Sequence, residues 1–132
     1  PITDPYVVHH GALGSFATVY LPNDADKDSL IAKLRAIDGI DEAINNSEAA
    51  NRFELPTDRI GDIVVVSSRH KVLGTSADRH DLSGLTEPLR SHGGISEQGV
   101  PMIANRSVTL PPGHDLRTFD VFDVALNRCQ TG

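Results

Sequence analysis

The stretch Ile60-Gly-Asp-Ile-Val-Val-Val-Ser67 limits most strongly what this chain can fold into. Val and Ile carry two heavy atoms on Cβ, which stiffens them in helices and suits them to a pleated surface. Ile63 to Val66 is unbroken by any polar residue, so the alternation of a half-solvated strand is missing. The run predicts a strand from Ile60 to Ser67 that is covered on both faces, as the central strand of a sheet is.

The segment before it supplies candidate neighbours. Ser15 to Leu21 is rich in β-branched and aromatic residues and stops at Pro22-Asn23-Asp24, which predicts a strand. Asp24 or Asp26 can cap a following helix, with Leu30, Ile31, Leu34 and Ile37 on one face and Gly39 at its end. Asp41 to Ile44 reads as one further turn. Ser47 to Phe53 reads as a second short helix with Ser47 at the N-cap, halted at Leu55-Pro56. Ser15 to Ser67 is thus expected to be a β-α-(α)-β unit of the α+β class.

Beyond Ser67 the pattern weakens. Val72 and Leu73 could form a hairpin edge, and the rest to Ser91 reads as loop. A short strand is predicted from Val100 to Ala104. Pro111-Pro112-Gly113 marks a turn, and Thr118 to Asn127 reads as a helix capped by Thr118, with strand an open alternative because its apolar residues make no clean stripe.

Composition narrows the function classes. The 132 residues carry a net charge of −6 with no block of Lys or Arg, which argues against nucleic acid or an anionic membrane as partner. No apolar run approaches a bilayer span, and a cytoplasmic protein is expected. The single cysteine, Cys129, allows no intrachain disulfide, and its place near a frayed C-terminus reads as inert rather than nucleophilic. The opening Pro1 to His10 is already extended and motif-like, so the chain is expected to be a piece of a longer protein.

Candidate chemistry concentrates between Arg90 and Arg106. This polar loop holds His92 followed by Gly93 and Gly94, whose missing Cβ atoms let the backbone approach a ligand or metal closely. A tight glycine turn with a solvent-facing histidine explains the same residues. The other histidines are His9, His10, His70, His80 and His114, and no pair has the spacing of a self-contained zinc site. Adjacent His9 and His10 point to opposite faces of an extended segment. Arg69-His70-Lys71 could meet an anion or be a solvated turn, and Asp78 to Asp81 could be a hydrogen-bonded loop or a carboxylate orienting a histidine. No nucleophile-elbow, Walker or dinucleotide-binding motif is present.

Three segments together carry a resemblance: Ile2 to His10, Phe53 to Ser67, and Leu89 to Arg106 with its Ser91-His-Gly-Gly core. The chain resembles the phosphonoacetate hydrolase family and, more broadly, the nucleotide pyrophosphatase and phosphodiesterase branch of the alkaline phosphatase superfamily. The resemblance implies that residues 1–14 lead from core to cap, that 15–88 form a small α+β cap, and that 89–132 return to an alkaline-phosphatase-like α/β core with a metal-ligand loop. It implies hydrolysis of the carbon–phosphorus bond of phosphonoacetate by a threonine nucleophile assisted by two zinc ions. His92 is then one zinc ligand, and His10, beside the glycines entering the cap, is a candidate substrate contact. The nucleophile and remaining ligands match nothing in this chain, so the isolated chain is expected to be inactive. A fragment of this kind is also expected to expose apolar surface and to self-associate, as a homodimer for example. The alternatives are a phosphodiesterase of the same superfamily, and a non-catalytic α+β ligand-binding or oligomerisation module.

Overall fold

In a computed structural model, strand β4 (Ile63–Ser67) lies at the centre of a three-stranded antiparallel sheet with every residue buried. The structure describes residues 12–76, 78, 83–84, 86–87, 91–110, 112–113 and 115–130. The chain divides into two compact units, Pro1–Gly99 and Val100–Gly132.

The first unit begins with β1 (Ala12–Gly14) and β2 (Phe16–Val19). Helix α1 (Lys27–Arg35), strand β3 (Ile40–Asn45) and helix α2 (Asn46–Phe53) follow before β4, and β5 (Leu73–Gly74) pairs back onto β1. Strand β4 takes β2 on one side, with Phe16 opposite Val66, and β3 on the other, with Ile44 opposite Val64. Successive side chains of a strand point to opposite faces, and here each face has its own cover. Ile63 and Val65 join Ala43 and Ile31, with Leu30 and Leu34 of α1 packed against them. Val64 and Val66 join Ile44, Ala49 and Ile60, with Phe16 and Phe53 alongside. The unbroken apolar run is therefore the direct consequence of one helix packing on each face of the sheet.

The helices start where short polar side chains satisfy free amides. Asp26 accepts the Ser29 N–H at 3.0 Å at the head of α1. Asn45 accepts the Glu48 N–H at 2.9 Å at the head of α2, so the cap is Asn45 rather than the expected Ser47, which is exposed in the first turn. Ile37 was expected on the apolar face of α1, but the helix ends at Arg35 and Ile37 is 53% exposed.

The expected turn over Asp41 to Ile44 is in fact the edge strand β3, which makes the unit β-α-β-α-β rather than β-α-(α)-β. Asp and Glu disfavour strands only weakly, and ladder hydrogen bonds to β4 override that preference. An edge also leaves one flank open to water: Asp41 is exposed, and Glu42 meets Arg52 of α2 at 2.8 Å.

Asp62 ties three elements at the lower end of the sheet. Its carboxylate accepts the Leu21 N–H at 2.9 Å, its Oδ1 lies 3.4 Å from Lys27 Nζ, and its carbonyl accepts the Asn46 N–H. The Leu21 hydrogen bond, helped by the Lys27 ammonium, holds the Asp62 carboxyl below its ordinary value of 3.8.

In the second unit no strand forms over residues 100–104, contrary to expectation; Ile103 is 90% exposed. Within this unit, strand-like pairing joins Val108 to Cys129, with Thr109 N–H donating to Arg128 O at 3.1 Å and Gln130 N–H to Ser107 O at 3.0 Å. Helix α3 (Asp120–Asp123) widens into a π turn over Val124–Arg128. Its N-cap position is Phe119, not Thr118, and makes no side-chain cap. Val124 is buried, whereas Phe122 and Leu126 are 70% and 81% exposed, which explains why the apolar residues show no clean stripe.

Candidate functional site around His92

A node centred on Ser15 fastens the His92 loop to the start of β2. Ser15 is 2% exposed, and its N–H donates to the His92 carbonyl at 2.8 Å. Its Oγ lies 2.8 Å from Ser91 Oγ and 3.3 Å from the Lys71 carbonyl oxygen. A hydroxyl has one proton to give and lone pairs to accept with. A relay from Ser91 O–H to Ser15 Oγ, and from Ser15 O–H to the Lys71 carbonyl, satisfies both hydroxyls. Buried Ser67 donates to the same carbonyl at 2.9 Å, and its N–H donates to Ser15 O.

Downstream, the chain is pinned a second time. A 3₁₀ turn over Ile95–Glu97 is closed by Glu97 N–H donating to Gly94 O at 3.0 Å. Ile95 packs against the cluster that contains Val64 and Val66. Gly94 is buried against Ser15, where a Cβ would come 3.3 Å from the Ser15 Cβ. His92 is thus held between a hydrogen-bonded anchor and an apolar one.

The imidazole lies over bare backbone. Gly14 has φ +79°, and a Cβ there would overlap His92 Nδ1 and Cε1 and come 2.9 Å from the His92 carbonyl oxygen. His92 itself remains exposed. The anchors leave the loop backbone that carries His92 little freedom to lose on binding.

Of the other candidates, only Lys71 joins this node, through its backbone carbonyl, and several lie outside the described residues. His70 and Arg69 are exposed in the turn after β4, and Lys71 reaches Asp38 at 3.5 Å. Asp78 is exposed. Cys129 is partly buried in the strand-like pairing to Val108 rather than frayed. The substrate candidate His10, with His9, His80 and His114, lies outside the described residues. Ser15 and Ser91 were not foreseen as a pair: 76 residues separate them, and a single serine at the head of a strand carries no signal of its own.

A phosphonoacetate hydrolase of Penicillium oxalicum is 40% identical over 81 residues, covering 59% of this chain and 99% of the relative. The chain belongs to the phosphonoacetate hydrolase family. Two crystal structures of phosphonoacetate hydrolase from Sinorhizobium meliloti 1021, in complex with phosphonoformate and with phosphonoacetate, are 63% identical and superpose with a TM-score of 0.71. They match 92% of this chain, which spans 30% of the length of that phosphonoacetate hydrolase. No protein-family model matches.

A metal ion, which the family resemblance implies, needs several protein donors. His92 is exposed, sits on an anchored loop and is of a residue type that ligates metal ions. Among the described residues no group of three His, Cys, Asp or Glu side chains comes together to complete a site. No helix among them is long and apolar enough to cross a membrane.

Proposed function

We propose that this chain is part of a zinc-dependent hydrolase that cleaves the carbon–phosphorus bond of phosphonoacetate, with water, to acetate and phosphate. His92 contributes one imidazole to the metal centre, and the other ligands and the threonine nucleophile lie outside these residues. When bound, zinc supplies Lewis-acid stabilisation of charge developing on the phosphonate oxygens. The chain's own part is to present His92 at a fixed place and to shape access through the unit that carries it. The observation that carries the reading is the exposed His92 on its doubly anchored loop, in a chain 63% identical to a phosphonoacetate hydrolase solved with phosphonoacetate.

His10 is the residue assigned to substrate contact, so His10→Ala should raise KM more than it lowers kcat. The reading also has the exposed Ile103, Phe122 and Leu126 covered by a second copy or by the rest of the enzyme. A cytoplasmic setting, in keeping with a single unpaired cysteine, belongs to the same reading.

The test is phosphate release from phosphonoacetate with added zinc, together with bound-zinc content. The 132-residue chain should show neither turnover nor stoichiometric zinc. The longest natural polypeptide carrying this sequence should turn over phosphonoacetate faster than a phosphodiester, and its His92→Ala variant should hold about one zinc fewer. Full zinc content in that variant refutes the role of His92. Preference for the diester would move the protein to the phosphodiesterases.

A further inference from the structure

We infer that Ser15 is a positioning residue for His92, acting through a hydrogen-bonded node that joins three distant segments. This rests on the reading of His92 as a metal ligand and extends it to the residues that aim the ring.

Ser15 is one of two buried polar residues among those described, the other being Ser67, and both converge on the Lys71 carbonyl. Ser15 touches the His92 loop twice, through its N–H on the His92 carbonyl at 2.8 Å and through its Oγ beside Ser91 Oγ at 2.8 Å. The two contacts bracket the peptide leading into His92, so they restrict rotation of the backbone that carries the ring. Gly14, immediately before, offers the surface on which the ring rests. One dipeptide therefore sets both the backbone and the side-chain placement of His92.

A polar node of this kind has no stabilising duty that an apolar pair could not fill. The buried hydroxyls of Ser15 and Ser67 need partners only because they are there. What the node adds is direction: hydrogen bonds fix an angle, whereas apolar contact fixes only proximity. A ligand presented from a loop needs that direction, and outer residues that orient metal ligands typically change metal affinity 10- to 100-fold when altered.

The test uses the longest natural polypeptide carrying this sequence. Variants Ser15→Ala, Ser91→Ala, Ser91→Thr and His92→Ala are compared by zinc competition against a chelator, by thermal unfolding, and by hydrogen exchange of the Ser15 amide. Ser15→Ala should weaken zinc at the His92-dependent position by roughly 10-fold or more. Ser91→Ala should weaken it less and speed exchange of the Ser15 amide, while Ser91→Thr, which keeps the hydroxyl, should restore both. If Ser15→Ala does not fold, the Ser91 pair decides alone. Loss of one zinc in His92→Ala with unchanged zinc affinity in the foldable Ser15 and Ser91 variants overturns the positioning role and leaves the proposed function standing. Unchanged zinc in His92→Ala overturns both.

Discussion

Substitution of Gly14 by alanine isolates the contact on which the His92 ring depends. Two costs add. A residue with a Cβ at φ +79° carries a left-handed penalty of roughly 1–2 kcal/mol. The new methyl group must also share space with the His92 imidazole and sit 2.9 Å from the His92 carbonyl oxygen. Overpacking of this kind costs about 1–3 kcal/mol. The ring can swing away and relieve its own overlap, but the carbonyl is held by the Ser15 N–H and cannot follow. The expected loss is about 2–5 kcal/mol, or roughly 30- to 5,000-fold in the folding equilibrium. The chain has no Trp, so urea unfolding followed by far-UV circular dichroism is the suitable assay. Gly99→Ala is the control, because a Cβ there meets nothing within 4 Å and its φ is not positive, and it should stay within about 0.5 kcal/mol of the parent. If Gly14→Ala unfolds at the same urea concentration as that control, the ring does not rest on Gly14 and the placement of His92 is wrong.

Two further expectations rest on the sheet. Ile63→Ala removes a fully buried side chain from the α1 face of β4 and should cost about 2–5 kcal/mol by urea unfolding; a loss below about 1 kcal/mol would mean that this face is not packed as described. Asp62 is held below its ordinary carboxylate value in the folded chain, so the unfolded chain binds its proton more readily as pH falls. Its stabilisation is present above about pH 4 and is lost as pH drops through the lowered folded value. Asp62→Asn should therefore reduce stability at neutral pH and flatten its acid dependence below pH 4, measured as melting temperature against pH; an unchanged acid limb would contradict the Leu21 and Lys27 contacts.

How much of this was legible beforehand depended on the range of the interaction that decides each feature. Ile63 to Val66 announced a central strand because burial on two faces demands apolar residues at every position, and the demand is written in four consecutive side chains. Helix α1 was legible from Asp26 and the spacing of Leu30, Ile31 and Leu34, which are local and periodic. The glycines after His92 suggested close approach to a ligand or metal, and the contact the structure gives Gly94 is with Ser15.

Strand β3 was hidden because Asp41-Glu42-Ala43 carries no strand preference, and only the free backbone edge of β4 recruits it. The strand expected over residues 100–104 failed for the converse reason: β-branched residues favour pairing, but no partner edge meets them among the described residues. Asn45 displaced Ser47 as the cap because the helix begins at the point where β3 ends, a position fixed by register rather than by residue type. His92 stood out from the residues around it, but its reading as a metal ligand came from the family resemblance. That it lies on Gly14, and is aimed from Ser15, was decided by tertiary structure alone. Local preferences act over a few residues, whereas a hydrogen bond between serines 76 positions apart exists only once the sheet has brought their backbones together.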